Sequence, residues 1–125
     1  MKNKLKLEYT INSSPSVLYK RLSTPSGLSE WFAEDVNLKG NIFTFIWEGS
    51  EEKAEMISQK ENKFIRFRWM ENDDKDLFFE FKINQHELTG DVALEITDFA
   101  DDDDADDTRD LWDSQISRLK HTMGL

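Results

Sequence analysis

From Asp35 to Phe99 the apolar residues of this chain return at every second position, in a succession of short runs. Period two is the spacing of a strand with one buried face, because successive side chains point to opposite sides of a sheet. "DVNLKG" and "NIFTFIWEG" flank Gly40-Asn41, a pair suited to a tight hairpin turn. "EKAEMISQK" aligns Ala54, Met56 and Ser58. "KFIRFRWM" sets Ile65, Phe67 and Trp69 on one face, with Arg66 and Arg68 on the other. "LFFEFKIN" sets Leu77, Phe79, Phe81 and Ile83 against Glu80, Lys82 and Asn84, and "DVALEITDF" groups Val92, Leu94 and Ile96. The separators "ENDDKD" and "QHELTG" are polar turns. Six strands in such succession predict an antiparallel meander.

The flanks add a strand and helices. "KLKLEYTI" alternates, with Leu5, Leu7, Tyr9 and Ile11 on one face. Ser14 and Pro15 form a helix start, a capping side chain followed by a residue with no N–H to leave unpaired. Thr24 and Pro25 repeat it, and Leu28, Trp31 and Phe32 follow at helical spacing. Two short helices in tandem are expected. Trp112, Ile116, Leu119 and Met123 make a stripe at spacings of 4, 3 and 4. A final helix should run from near Thr108 to near Met123 and stop at Gly124. Its stripe and the aromatic strand faces should share one core, with Phe67, Trp69, Phe79, Phe81, Ile96, Trp112, Ile116 and Leu119 in it.

The fold class is therefore α+β, one domain over residues 1–125, with enough chain to bury a core. The absence of cysteine removes disulfides and thiolate chemistry and fits a reducing cytoplasm. No run approaches the ~20 apolar residues of a membrane span, so no membrane insertion is expected. The net charge is −10, and the segment from Asp98 to Asp113, nine Asp against one Arg, carries most of it. That imbalance opposes nucleic-acid binding, which needs a basic face.

Six aspartates lie between Asp101 and Asp107. They suit a solvated loop leading into the final helix, whose N-terminal dipole favours negative charge. No EF-hand register fits: counting from Asp98 or from Asp101, the required glycine and final glutamate are missing. His86 and His121 have no zinc-site spacing, so neither metal nor cofactor is expected. Glu51-Glu52 is read as a turn. Arg66 and Arg68 are expected to pair with Glu80 or Glu95 on neighbouring strands.

One strand, two short helices, a meander and a long final helix follow the order of a helix-grip fold. "INSSPSVLYKRLSTPSGLSEWFAEDV" and "LWDSQISRLKHTM" carry the closer likeness. They resemble the START-like, or Bet v 1-like (SRPBCC), superfamily, in particular small bacterial relatives of the domain in activators of the heat-shock chaperone ATPase. Gly40-Asn41 stands where that family usually has Gly-Gly, and the acidic insert is unusual in it. The resemblance implies a curved sheet gripping the last helix, with a cavity for apolar or amphipathic ligands between them. Trp31 and Phe32 would then border its mouth. Phe45, Trp47, Phe67, Trp69, Phe79 and Phe81 would line the sheet side, with Trp112 and Ile116 opposite.

Three functions compete. The first is non-enzymatic binding of a small apolar ligand. The second is a protein-interaction module, co-chaperone-like or a homodimer, with the acidic run as docking patch. The third is a cyclase- or hydrolase-like enzyme, for which Asp98 is the one inward-facing acid that stands out. Ligand binding is the reading the sequence favours.

Overall fold

The computed structural model describes residues 2–125. The elements follow in the order β1 (Lys2–Thr10), α1 (Pro15–Ser23), α2 (Pro25–Leu28), β2 (Asp35–Lys39), β3 (Ile42–Trp47), β4 (Ser50–Lys60), β5 (Phe64–Trp69), β6 (Phe79–Gln85), β7 (Val92–Asp101), a 3-10 turn (Asp102–Asp104) and α3 (Ala105–Thr122). All seven strands form one antiparallel sheet in the order β1-β7-β6-β5-β4-β3-β2. Strands β2 to β7 are the meander the alternation predicts. The first strand closes back on the last, with Leu7 opposite Ile96. The helices cover one face, and this is the helix-grip arrangement.

Local chemistry sets the boundaries. Ser14 Oγ accepts from the Val17 N–H, and Thr24 Oγ1 from the Gly27 N–H, so each short helix has its side-chain cap. The second helix ends at Leu28, short of the helical spacing expected through Phe32. Trp31 and Phe32 continue as turns, with the Phe32 N–H donating to Leu28 O at 2.9 Å. Gly40 takes a φ of +62° at the first corner of the β2–β3 hairpin, a conformation that costs glycine little.

The core fills the space between sheet and helices. Phe45, Phe67, Phe81, Leu94, Ile96, Trp31 and Leu119 are fully enclosed. All eight expected core residues lie in or against one cluster, Trp69 being the half-buried one. Phe67 and Phe79 stack at 5.0 Å, and Trp112 meets Phe81 edge-on at 5.7 Å.

Four expectations need correction. Helix α3 begins at Ala105, three residues before Thr108, and no loop precedes it. Asp101 ends β7, Asp102–Asp104 form the 3-10 turn, and Asp106 and Asp107 sit in the first helical turn. Strand β6 begins at Phe79, so Leu77 lies in the turn before it, its N–H on Asp74 O. A bulge between Met56 and Ser58 places Ser58 opposite Arg66, on the outer face, while Met56 stays opposite Phe67. Glu51 and Glu52 belong to β4 rather than to a turn.

Candidate functional site: an aromatic recess between sheet and last helix

On the outer face Arg66 and Arg68 each pair with a glutamate. Arg66 Nε donates to Glu80 at 2.7 Å and its guanidinium lies 3.9 Å from the Phe78 ring centroid. Arg68 donates to Glu55 at 3.0 Å, not to Glu80 or Glu95. These pairs are structural and half-exposed, and such pairs contribute little.

The inner face has an opening. Where β3 and β5 end beside the first half of α3, a recess of about 380 Å³ remains. Its apolar wall comprises Phe32, Trp47, Trp69, Phe79, Trp112 and Leu111, and its polar groups are Glu52, Asp98 and Gln115. Of the ten candidates from sequence, Phe32, Trp47, Trp69, Phe79 and Trp112 reach this recess. Trp31, Phe45, Phe67, Phe81 and Ile116 lie in the closed core and do not line it. Trp31 is held there by its indole N–H on Arg21 O at 2.8 Å.

The wall is braced from behind. Trp47 Nε1 donates to Phe32 O at 3.0 Å and Gln115 Nε2 to the same carbonyl at 3.2 Å. The irregular turn after α2 is thereby tied both to β3 and to α3. Phe32 and Trp112 stack at 5.9 Å, Trp69 and Phe79 at 4.9 Å, and Trp47 sits 6.3 Å from Trp69. These contacts hold large rings in fixed positions.

Asp98 lies on the inner face of β7, opposite Leu5. Its Oδ2 accepts from Trp112 Nε1 at 2.9 Å and its Oδ1 from its neighbour's N–H, that of Phe99, at 2.8 Å. Burial pushes the carboxyl above its ordinary value; the two hydrogen bonds and the charge of Lys2 pull the other way and lose. Each carboxylate oxygen keeps room for a second donor. Tyr9, on the adjoining strand, donates to Asp113 of α3 at 2.5 Å, and burial with that bond pushes its hydroxyl well up.

Sequence reasoning missed Glu52, Leu111 and Gln115. The signal for Glu52 was present: it shares the phase of Ala54 and Met56, and pairs with Phe45 across β3. Among the described residues no group of three His, Cys, Asp or Glu side chains is placed to hold a metal. Nor is any helix there long and apolar enough to cross a membrane.

Comparison with known proteins gives a consistent picture. The model of the START-like superfamily domain matches residues 1–125. The solution structure of BfR322 from Bacteroides fragilis is 42% identical, with a TM-score of 0.72 over 99% of this chain and 93% of that one. The Aha1 dimer from Colwellia psychrerythraea is 18% identical, with a TM-score of 0.79 over 94% and 93%. MLL2253 from Mesorhizobium loti is 16% identical, at 0.77 over 98% and 97%. At the last two identities the likeness is one of fold. No curated protein matches the chain.

Proposed function

The chain belongs to the START-like superfamily, and from that premise we propose that it binds a small apolar or amphipathic molecule in the recess between the sheet and α3. The observation that carries this reading is the contrast between the two ends of the inner face. Behind Phe32 and Phe79 the aromatic side chains close on one another, whereas at Trp47, Trp69 and Trp112 they stop short. The recess of about 380 Å³ falls within the ~300–1,000 Å³ of small-molecule sites, and its wall is mostly aromatic with a few polar groups, as such sites are. A ligand burying ~200 Å² of apolar surface there would gain ~5 kcal/mol before the costs of association.

The reading is one of binding without chemistry. The described residues lining the recess include no Ser, Cys, Lys or His to act as a nucleophile with Glu52 or Asp98 as its base. The test is native mass spectrometry of the purified protein, combined with indole fluorescence against apolar and amphipathic probes. Three of the four tryptophans line the recess, so occupancy should change the emission. Loss of that response in Trp47→Leu is expected. A panel of neutral, cationic and anionic amphipaths that leaves both mass and emission unchanged would sink the proposal.

Self-association is the second reading. The Colwellia protein of the same fold is a dimer, and the same mass spectrum reports whether this chain pairs too.

A further inference from the structure

We infer that the recess selects a positively charged head, an ammonium group, over uncharged or anionic groups of the same shape. The inference rests on the binding reading above and names the class of ligand. Two independent features of the recess carry it.

The first is charge. Glu52 and Asp98 are the ionisable groups among the described lining residues, and both are acids. Lys2, whose charge acts on Asp98, lies outside this recess, in an adjoining one that Asp98 and Trp69 also border. The donors on offer are also few. The indole N–H of Trp47 is engaged by Phe32 O and that of Trp112 by Asp98, while Gln115 gives an N–H to Phe32 O. An anion entering here would meet carboxylates and find these donors committed. A cation would meet two carboxylates with lone pairs to spare.

The second is the wall. Three tryptophans and two phenylalanines surround the space, held 4.9 to 6.4 Å apart by ring contacts. Aromatic rings attract cations through their quadrupole, tryptophan most of all, and several rings around one space attract a diffuse cation together. A quaternary ammonium needs no hydrogen-bond acceptor and presents an apolar shell, so it fits a wall of rings next to acids better than a bare lysine-like head does.

The overall acidity of the chain is a separate matter. The run Asp101–Asp104 borders a different recess, with Asn3. Exposed charges there act through solvent and are screened over ~8 Å at physiological salt.

The experiment compares three probes of one shape on the intact protein at 0.15 M salt: benzyltrimethylammonium, its uncharged carbon isostere neopentylbenzene, and benzylsulfonate. Affinity is read by calorimetry and indole fluorescence. The ammonium should bind about tenfold or more tighter than the isostere, and the sulfonate weakest. Glu52→Gln and Asp98→Asn should each weaken the ammonium by a larger factor than the isostere, narrowing the preference between them, and Asp103→Asn should alter neither. Glu52 is exposed, so its variant keeps the test available if Asp98→Asn folds poorly. Ammonium and isostere binding within about twofold of each other would overturn the inference and leave the binding reading standing. A preference that survives Glu52→Gln and Asp98→Asn but falls in Asp103→Asn would overturn it as well, assigning the effect to the acidic run. Failure of all three probes would overturn the binding reading, and this inference with it.

Discussion

Trp112 on α3 donates its indole N–H to Asp98 on β7 at 2.9 Å, so the last helix is keyed to the last strand by a hydrogen bond to a carboxylate that burial disfavours. Trp112→Phe keeps the ring packing and removes the donor. Leaving a half-buried carboxylate short of a partner should cost about 1–3 kcal/mol in urea unfolding. The Asp98 carboxyl should also titrate higher still, since the Trp112 bond acts to lower it. Carboxyl NMR titration checks the second point, and an unmoved titration would refute it.

The titration of Asp98 has a sign that stability can read. Its native pKa lies above the ordinary 3.8, so the folded protein holds a proton that the unfolded chain releases in between. That contribution is fully present below 3.8 and is lost as pH rises through the native value. The stability of the wild type relative to Asp98→Asn should therefore fall across that window and level off above it. A difference that grows with pH would mean the carboxyl is stabilised in its charged form.

Phe81 is fully enclosed and touches Trp31, Phe32, Phe67, Phe79 and Trp112. Phe81→Ala should cost about 3–5 kcal/mol. A denaturation midpoint near that of the wild type would place Phe81 outside the core.

Gly27 offers a case in which a good helix former should fail. A Cβ there would lie 2.2 Å from Lys20 O and 2.7 Å from Arg21 Cα, both backbone atoms of α1. Alanine in a helix is ordinarily favoured over glycine by about 1 kcal/mol. Here the close approach of α2 to α1 reverses the sign, and Gly27→Ala should destabilise by about 1–3 kcal/mol or more. Thermal melting decides it.

The acidic run should matter little to stability. Asp103 and Asp104 are exposed in the 3-10 turn, and Asp102 takes a hydrogen bond from Asn3. Asp103→Asn with Asp104→Asn should change stability by no more than about 0.5 kcal/mol at 0.15 M salt. Micromolar calcium should not move the melting temperature. A rise of several degrees that the double variant abolishes would establish a metal site there.

Period and phase made the sheet and the last helix readable. Leu94 and Ile96 fall on the inner face because strands alternate, and Trp112, Ile116 and Leu119 are buried because a helix repeats every 3.6 residues. What alternation does not carry is depth. Phe67 and Trp69 share a face two residues apart, yet Phe67 is enclosed and Trp69 borders the recess. Position along the strand relative to the covering helix separates them, and that is a property of packing. The bulge after Met56 was hidden for a related reason: one extra residue shifts the phase without a glycine or proline to mark it. The early start of α3 was masked because the repulsion among its aspartates suggested a loop. Their placement in the first turn instead sets them at the positive end of the helix dipole.

The pairing of β1 with β7 has a consequence for how the chain is made. Residues 2–10 find their partners at residues 93–101, so β1 leaves the ribosome well before β7 and waits for it. Contacts of such separation slow folding, and a strand that waits is a template for pairing with other chains. Lys4, Lys6 and Glu8 alternate with Leu5, Leu7 and Tyr9, which gives the waiting strand a charged face throughout synthesis. Its solubility in that interval depends on those side chains, and removing Lys4 and Lys6 should show first as aggregation during expression rather than as a weaker folded state.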